Sequence, residues 1–217
     1  MKIINVKEGG LASYCRCQLQ HIFPTGDDNQ LQLIDLHLEE ALFRLRRCIS
    51  QIKMWKRDQF DVLHSSQYST FLYFLSNTIW RNERAQTVCT KLFLLNKALN
   101  AIDCFYEIEL PEVFFIGHSV GIVLAKATYG NNMVIYQNTT VGKNHGVAPV
   151  LESGVILFPN CAVIGNSLIR SGTVISQGVS VIDRDTEEGK TVFQGEAGGL
   201  IFKEQSRNLF MDYFHDT

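Results

Sequence analysis

The chain has 217 residues, 46% of them hydrophobic, and a formal net charge of -2, enough apolar material for one domain or two small ones. A near-neutral balance without a basic run interleaved with aromatics speaks against a nucleic-acid partner. No apolar stretch approaches the roughly eighteen residues that span a membrane, and the opening Met1-Lys-Ile-Ile-Asn-Val-Lys-Glu8 turns to charge too early for a secretory signal.

Pro24-Thr-Gly-Asp-Asp28 marks a turn, and Asp27 or Asp28 is placed to cap a helix. The stripe Ile34, Leu38, Leu42, Leu45, Ile49 and Ile52 predicts that helix, with Glu39, Glu40, Arg44, Arg46 and Arg47 on a solvated outer face. A second helix is predicted over Gln67–Arg81, with Phe71, Phe74, Leu75 and Ile79 inward. A third covers Ala85–Ala101 through Val88, Leu92, Leu95 and Leu99. The dense aromatics Phe71, Tyr73, Phe74 and Trp80 serve either a helical core or an oligomerisation surface. Cys15, Cys17, Cys48, Cys89, Cys104 and Cys161 are scattered and several sit on apolar faces, as reduced core thiols of a cytoplasmic protein do. Cys15-Arg-Cys17 has no second cysteine pair or histidine at metal spacing, which argues against zinc. The last helix leads through Ile102–Leu110 without a linker into the next part of the chain.

From Leu151 an aliphatic residue returns every sixth position, as Leu157, Val163, Ile169, Ile175 and Val181. A small or β-branched residue follows each of the first five by four positions, as Val155, Cys161, Ser167, Thr173 and Val179. Neither helix nor strand has that period, and a fixed short repeat marks a solenoid whose units bury their apolar faces on stacked neighbours. Six residues per face and three faces per turn make a parallel β-helix. The register extends upstream as Leu110, Ile116, Ile122, Thr128, Val134 and Thr140, for about four coils in all. Between Thr140 and Leu151 the spacing is eleven, so five residues beyond one hexad are inserted within 141–150. In this upstream half threonines replace aliphatics, and Lys126, Asn132 and Asn138 fall where small residues belong. An irregular half beside a clean one is where a site is expected. The chain thus divides into a helical domain (1–103), a β-helix (104–186) with its loop, and a tail (187–217).

Two histidines lie in the irregular half, His118 and His145. An imidazole titrates near working pH and suits general-base work on a hydroxyl, provided a carboxylate orients it; Asp103, just before the first coil, is the candidate. Three histidines gathered on a metal, as in a γ-class carbonic anhydrase, are not available at the required spacing.

Ala101–Pro111, Gly117-His-Ser-Val-Gly-Ile-Val123, Tyr136-Gln-Asn-Thr-Thr-Val-Gly142 and Ala148-Pro-Val-Leu-Glu-Ser-Gly-Val155 resemble the bacterial serine O-acetyltransferases and their relatives in surface-polysaccharide gene clusters. The resemblance spans about residues 85–202. It implies a left-handed β-helix forming a homotrimer, or a dimer of trimers, with active sites between subunits. It implies direct acetyl transfer from acetyl-CoA to a small hydroxyl acceptor, serine or a sugar or related metabolite, without a metal. In that family His118 falls on the catalytic base and Asp103 on its orienting aspartate. Gly142, Lys143, Pro159 and Gln177 are the positions it suggests for CoA. Three features depart from the family pattern: Gly117 replaces an aspartate that contacts the amino acid, the insert is shorter, and Val147-Ala148 replaces an Arg-His pair. His145 lies three residues earlier. The changes therefore fall on acceptor-binding groups. The alternative reading is a non-catalytic β-helix scaffold, in which the aromatic tail Asn208–Phe214 docks into a partner enzyme; packing on its own prism is the simpler role for that tail.

Overall fold

A computed structural model describes residues 1–26 and 28–215. Strand β1 (Lys2–Ile4) is followed by helices α1 (Leu11–Ile22) and α2 (Gln32–Gln51), strand β2 (Gln59–Asp61), and helices α3 (Ser65–Glu83) and α4 (Gln86–Asn100). Helix α3 is the axis of this block: every residue from Ser66 to Ile79 is buried, because α2, α4 and the β-helix cover it on all sides. The aromatics are therefore core. Helix α1 escaped the sequence reading, although Leu11, Cys15 and Leu19 already recur at four and all face inward.

Of the two predicted caps, Asp27 lies outside the described residues, and Asp28 does not cap α2. The helix begins after Leu31 without a side-chain cap, and Asp28 instead accepts from Gln20 and pairs with Lys91, tying α1 to α4. Arg44 also leaves its expected solvated face. Its guanidinium lies over the Phe74 ring and donates to Asn77 and Thr78, and burial holds its pKa below the ordinary value. Helix α4 ends at Asn100, where Ala101 adopts φ 51, so residues 102–110 do not continue it. Leu99 is 47% exposed; the inward positions of that last stretch are Asn96 and Asn100, which bond each other while Asn96 reaches the Ser69 carbonyl. All six cysteines are unpaired, and burial pushes the thiols of Cys15, Cys48, Cys89 and Cys161 up to about 12.

The second half is the left-handed parallel β-helix. Its strands in chain order are β3 (Asp103–Cys104), β4 (Phe114–Ile116), β5 (Val123–Leu124), β6 (Thr128–Tyr129), β7 (Met133–Ile135) and β8 (Thr140–Gly142). After the insert come β9 (Val150–Leu151), β10 (Ile156–Leu157), β11 (Ala162–Ile164), β12 (Leu168–Ile169), β13 (Val174–Ile175), β14 (Ser180–Ile182) and β15 (Lys190–Gln194). The first face stacks β3-β5-β8-β11-β14, the second β4-β7-β10-β13-β15, and the third β6-β9-β12. Five parallel strands on two faces make about five coils rather than four, because the prism starts at Asp103 and closes on β15, outside the visible hexads. An antiparallel strand β16 (Leu200–Glu204) and the short helix α5 (Phe210–Tyr213) complete the fold.

The clean hexads stand as read: Leu151, Leu157, Val163, Ile169, Ile175 and Val181 all point inward. Ile116 also holds its place, pairing with Ile135, but the register from Thr128 to Thr140 is shifted by one. Leu151 pairs with Tyr129, Leu157 with Ile135 and Val163 with Val141, so Thr128 and Thr140 face outward. The insert beyond one hexad is therefore four residues, counted from Val141 to Leu151. The misreading has a local cause: Met133, Val134 and Ile135 are all buried, so alternation does not reveal which of them leads the hexad. Asn132 and Asn138 occupy left-handed corners (φ 58 and 56), a conformation asparagine tolerates, and Asn138 donates to Asn160 one coil on.

The second face is the covered one. Phe115 meets Trp55, the Phe114 ring meets Tyr73 and Phe74, and the Cys48 thiol donates to the Phe114 carbonyl. The tail folds back on the same face. Lys53 N–H donates to the Tyr213 carbonyl, His215 N–H to the Gln51 carbonyl, and Ile52 bridges Phe214. The tail thus packs on the end of α2 and, through Tyr213 against Phe115 and Tyr136, on its own prism. No helix among the described residues is long and apolar enough to cross a membrane.

Candidate functional site

The parallel register sets a column of residues along the corner between the second and first faces. Gly117 N–H donates to the Ile135 carbonyl, Tyr136 N–H to Leu157 and Phe158 N–H to Ile175, which stacks Gly117, Tyr136 and Phe158 one above another. The next residue in each coil is His118, Gln137, Pro159 and Gln177. Three of the site residues read from the sequence, His118, Pro159 and Gln177, are therefore brought onto one edge.

His118 is exposed, and its ring makes no hydrogen bond among the described residues; the Tyr136 ring lies 6.4 Å from it. Beneath it Ser66, at the start of α3, donates to the Gly117 carbonyl at 3.0 Å, fastening the turn that carries the histidine to the helical block. Asp103 belongs to the neighbouring coil: its N–H donates to the Ile122 carbonyl and its backbone pairs with Val123. Its carboxylate is held 2.6 Å from the Lys97 ammonium, not against the imidazole. Pairing and corner place the imidazole of His118 and the carboxylate of Asp103 on adjacent turns of one edge without a direct bond between them. Gln137, immediately after His118 in the column, has a buried Oε1 that finds no hydrogen-bond partner among the described residues, and the same is true of the Thr139 hydroxyl.

Gly142, the last residue of β8, and Lys143 and His145 beyond it stand at the other edge of the first face. The insert is a tight hairpin: Asn144 and Val147 exchange backbone hydrogen bonds of 2.9 Å around His145-Gly146, whose φ values of 46 and 82 are those of a two-residue turn with both central residues left-handed. The hairpin is pinned by Asp183. That carboxylate accepts from the Asn166 backbone and from Asn144 Nδ2 (2.6 Å), and these bonds hold its pKa below the ordinary carboxylate value, with a smaller contribution from nearby His145. One face, six residues of extended chain and hence at most about 20 Å wide, separates this edge from the His118 column. Among the described residues no three His, Cys, Asp or Glu side chains gather as a metal site.

One neighbour of His118, and the residue that holds it, went unnoticed in the sequence. Tyr136 covers Gly117, and its hydroxyl lies 3.1 Å from that of Tyr213, delivered by the tail. In the upstream register one position off, Tyr136 is not stacked on Gly117; the corrected register puts it there.

No family model matches the sequence, and no curated protein matches it. Solved structures do. A serine acetyltransferase from Brucella abortus strain S19 superposes with a TM-score of 0.68 at 20% identity, over 83% of this chain and 77% of that one. One from Vibrio cholerae O1 biovar El Tor gives 0.64 at 18%, over 80% and 69%. A serine acetyltransferase in complex with CoA gives 0.56 at 18%, over 63% and 57%. The chain therefore shares the fold of serine acetyltransferases, helical part and prism together.

Proposed function

We propose that this protein is a CoA-dependent O-acetyltransferase that moves acetyl directly from acetyl-CoA to a hydroxyl of a small acceptor, serine or a sugar or related metabolite. The observation that carries the reading is His118, an exposed imidazole that makes no hydrogen bond among the described residues, at the edge of a β-helix of the kind solved serine acetyltransferases have. In this reading His118 removes the proton from the acceptor hydroxyl as its oxygen attacks the thioester carbonyl. The C–S bond then breaks, and the same imidazolium returns the proton to the thiolate. General-base assistance of this kind contributes about a hundred- to ten-thousand-fold, with the remainder left to positioning and oxyanion stabilisation.

Asp103 is the orienting carboxylate. It sits one coil away on the same edge, and its ion pair with Lys97 must open for it to meet the imidazole. The column below His118 fits an extended, amide-bearing arm such as the pantetheine of CoA: Gln177 is exposed, and at Gly178 (φ 75) a side chain would meet nothing within 4 Å, so the backbone is open. Pro159 and Gln177 would hold that arm. Gly142 and Lys143 are at the far edge, and in a homotrimer they would complete the site across the subunit boundary, together with His145 of the partner subunit. Val123, Val147 and Val150, all at least 40% exposed on this face and its edge, support such a contact. A dimer of trimers would need the helical block to pair as well.

The test is thiol release from acetyl-CoA over serine, homoserine and a sugar panel, with sedimentation for assembly. Steady release with one of these acceptors and a trimeric mass are the expected outcome. No thiol release together with no CoA binding by calorimetry would leave only the scaffold reading.

A further inference from the structure

The residue before His118 is a glycine for a reason that lies one coil away. A Cβ at Gly117 would fall 2.6 Å from Tyr136 Cδ1 and closer still to Cε1, well inside van der Waals contact. The Tyr136 ring thus fills the space a side chain at 117 would need. That ring is fixed on several sides: it stacks on Phe158 (5.8 Å, 22°), meets Phe115 edge-on, and shares a hydrogen bond with the Tyr213 hydroxyl. Tyr213 is in turn held by the pairing of the tail with the end of α2. It is buried, and burial raises its phenol above the ordinary value, so that hydroxyl stays neutral.

Beside His118 there is consequently a half-buried aromatic wall with two phenol hydroxyls. The acidic residue nearest in sequence to the tail's contribution, Asp212, is paired with Arg207 at 2.8 Å. A primary ammonium needs several acceptors to replace its hydration shell, and this wall supplies two phenol oxygens already bonded to each other. A sugar ring presents an apolar face of C–H groups to an aromatic ring and equatorial hydroxyls at its rim, which the phenols can meet. We infer that Tyr136, held by Tyr213 of the tail, is the acceptor-side specificity residue, and that it selects an uncharged pyranose hydroxyl over a zwitterionic amino acid. The inference rests on the reading of His118 as the base of acetyl transfer, and it makes the C-terminal tail part of the site.

The experiment compares full-length protein with the Tyr136→Leu and Tyr213→Phe variants in the thiol-release assay. The acceptors are L-serine and the methyl glycosides of glucose, galactose and mannose. The wild type should favour at least one glycoside over serine by about tenfold or more in kcat/KM. Tyr136→Leu should raise the glycoside KM by about tenfold, and Tyr213→Phe by about threefold, with the KM for acetyl-CoA unchanged in both. A wall that is merely structural would instead lower kcat and disturb both substrates together. Preference for serine, or variants whose acceptor KM does not move, would overturn the inference while leaving acetyl transfer standing. CoA binding without transfer to any glycoside would overturn it too. If neither thiol release nor CoA binding is seen, the proposed function itself fails.

Discussion

Gly117→Ala is the sharpest probe of the packing beside His118. Gly117 has no positive φ, so at an unobstructed site of this kind alanine would stabilise the chain by about 0.4–1 kcal/mol through the unfolded state. Here the added methyl meets the Tyr136 ring at 2.6 Å, about 1 Å inside the ordinary 3.5–4.0 Å contact. The ring cannot swing aside without leaving Phe158 or breaking its bond to Tyr213. Overpacking of that order costs about 1–3 kcal/mol. For a chain of this length each kcal/mol lowers Tm by about 2–4 °C, so a fall of about 2–12 °C is expected. The decisive measurement is the double-mutant cycle with Tyr136→Ala, by urea or thermal unfolding. Removing the ring is itself destabilising, by up to about 3–5 kcal/mol, but in that background Gly117→Ala should be neutral or stabilising. A coupling energy of about 1–4 kcal/mol follows. Equal losses in both backgrounds would refute the idea that Tyr136 dictates the glycine.

His118→Ala should lower acetyl transfer by about a hundred- to ten-thousand-fold in the thiol-release assay with the melting curve unchanged, since the ring is exposed and makes no hydrogen bond among the described residues; an active variant would remove it as the base. Leu157→Ala, at a fully buried hexad position, should cost about 2–5 kcal/mol by urea unfolding, whereas Leu63→Ala, at a site 70% exposed, should stay within about 0.5 kcal/mol; equal effects would contradict the packing. The Asp183 carboxylate has a lowered pKa in the folded chain, so its hold on the hairpin is complete above its ordinary pKa of about 3.9 and is lost as pH falls through the lowered value. Protection of the Asn144 and Val147 amides, taken relative to their intrinsic exchange rates, should accordingly fall below about pH 4 in the wild type. In Asp183→Asn the hairpin should already exchange faster at neutral pH, and unchanged exchange would show that another group holds it.

Much of the architecture follows from the sequence alone. The hexads from Leu151 to Val181 specify a β-helix because no other packing repeats an inward aliphatic every sixth residue, and each unit must bury it on the next. Helices α2, α3 and α4 are legible from stripes at three and four. Local pattern misleads where one strand is buried on both sides, as at Met133–Ile135, or where a polar residue finds a buried partner, as Arg44 does over Phe74.

The site was legible only in part, because its residues are joined by stacking between coils and not by proximity in the chain. His118 and His145 can be picked out as titratable groups at irregular positions, yet only the prism places them at opposite edges of one face. Lys97 takes the Asp103 carboxylate through an ion pair between α4 and the first coil, a contact no spacing reveals. The sequence by itself determined the repeat, the helical stripes and the chemical types present. The tertiary structure decided which of them meet: a one-residue change of register stacks Tyr136 on Gly117, and the returning tail brings Tyr213 to it from far along the chain. Side chains alternate faces along a strand, so a single step of register changes every neighbour at once, and only the folded chain selects the step.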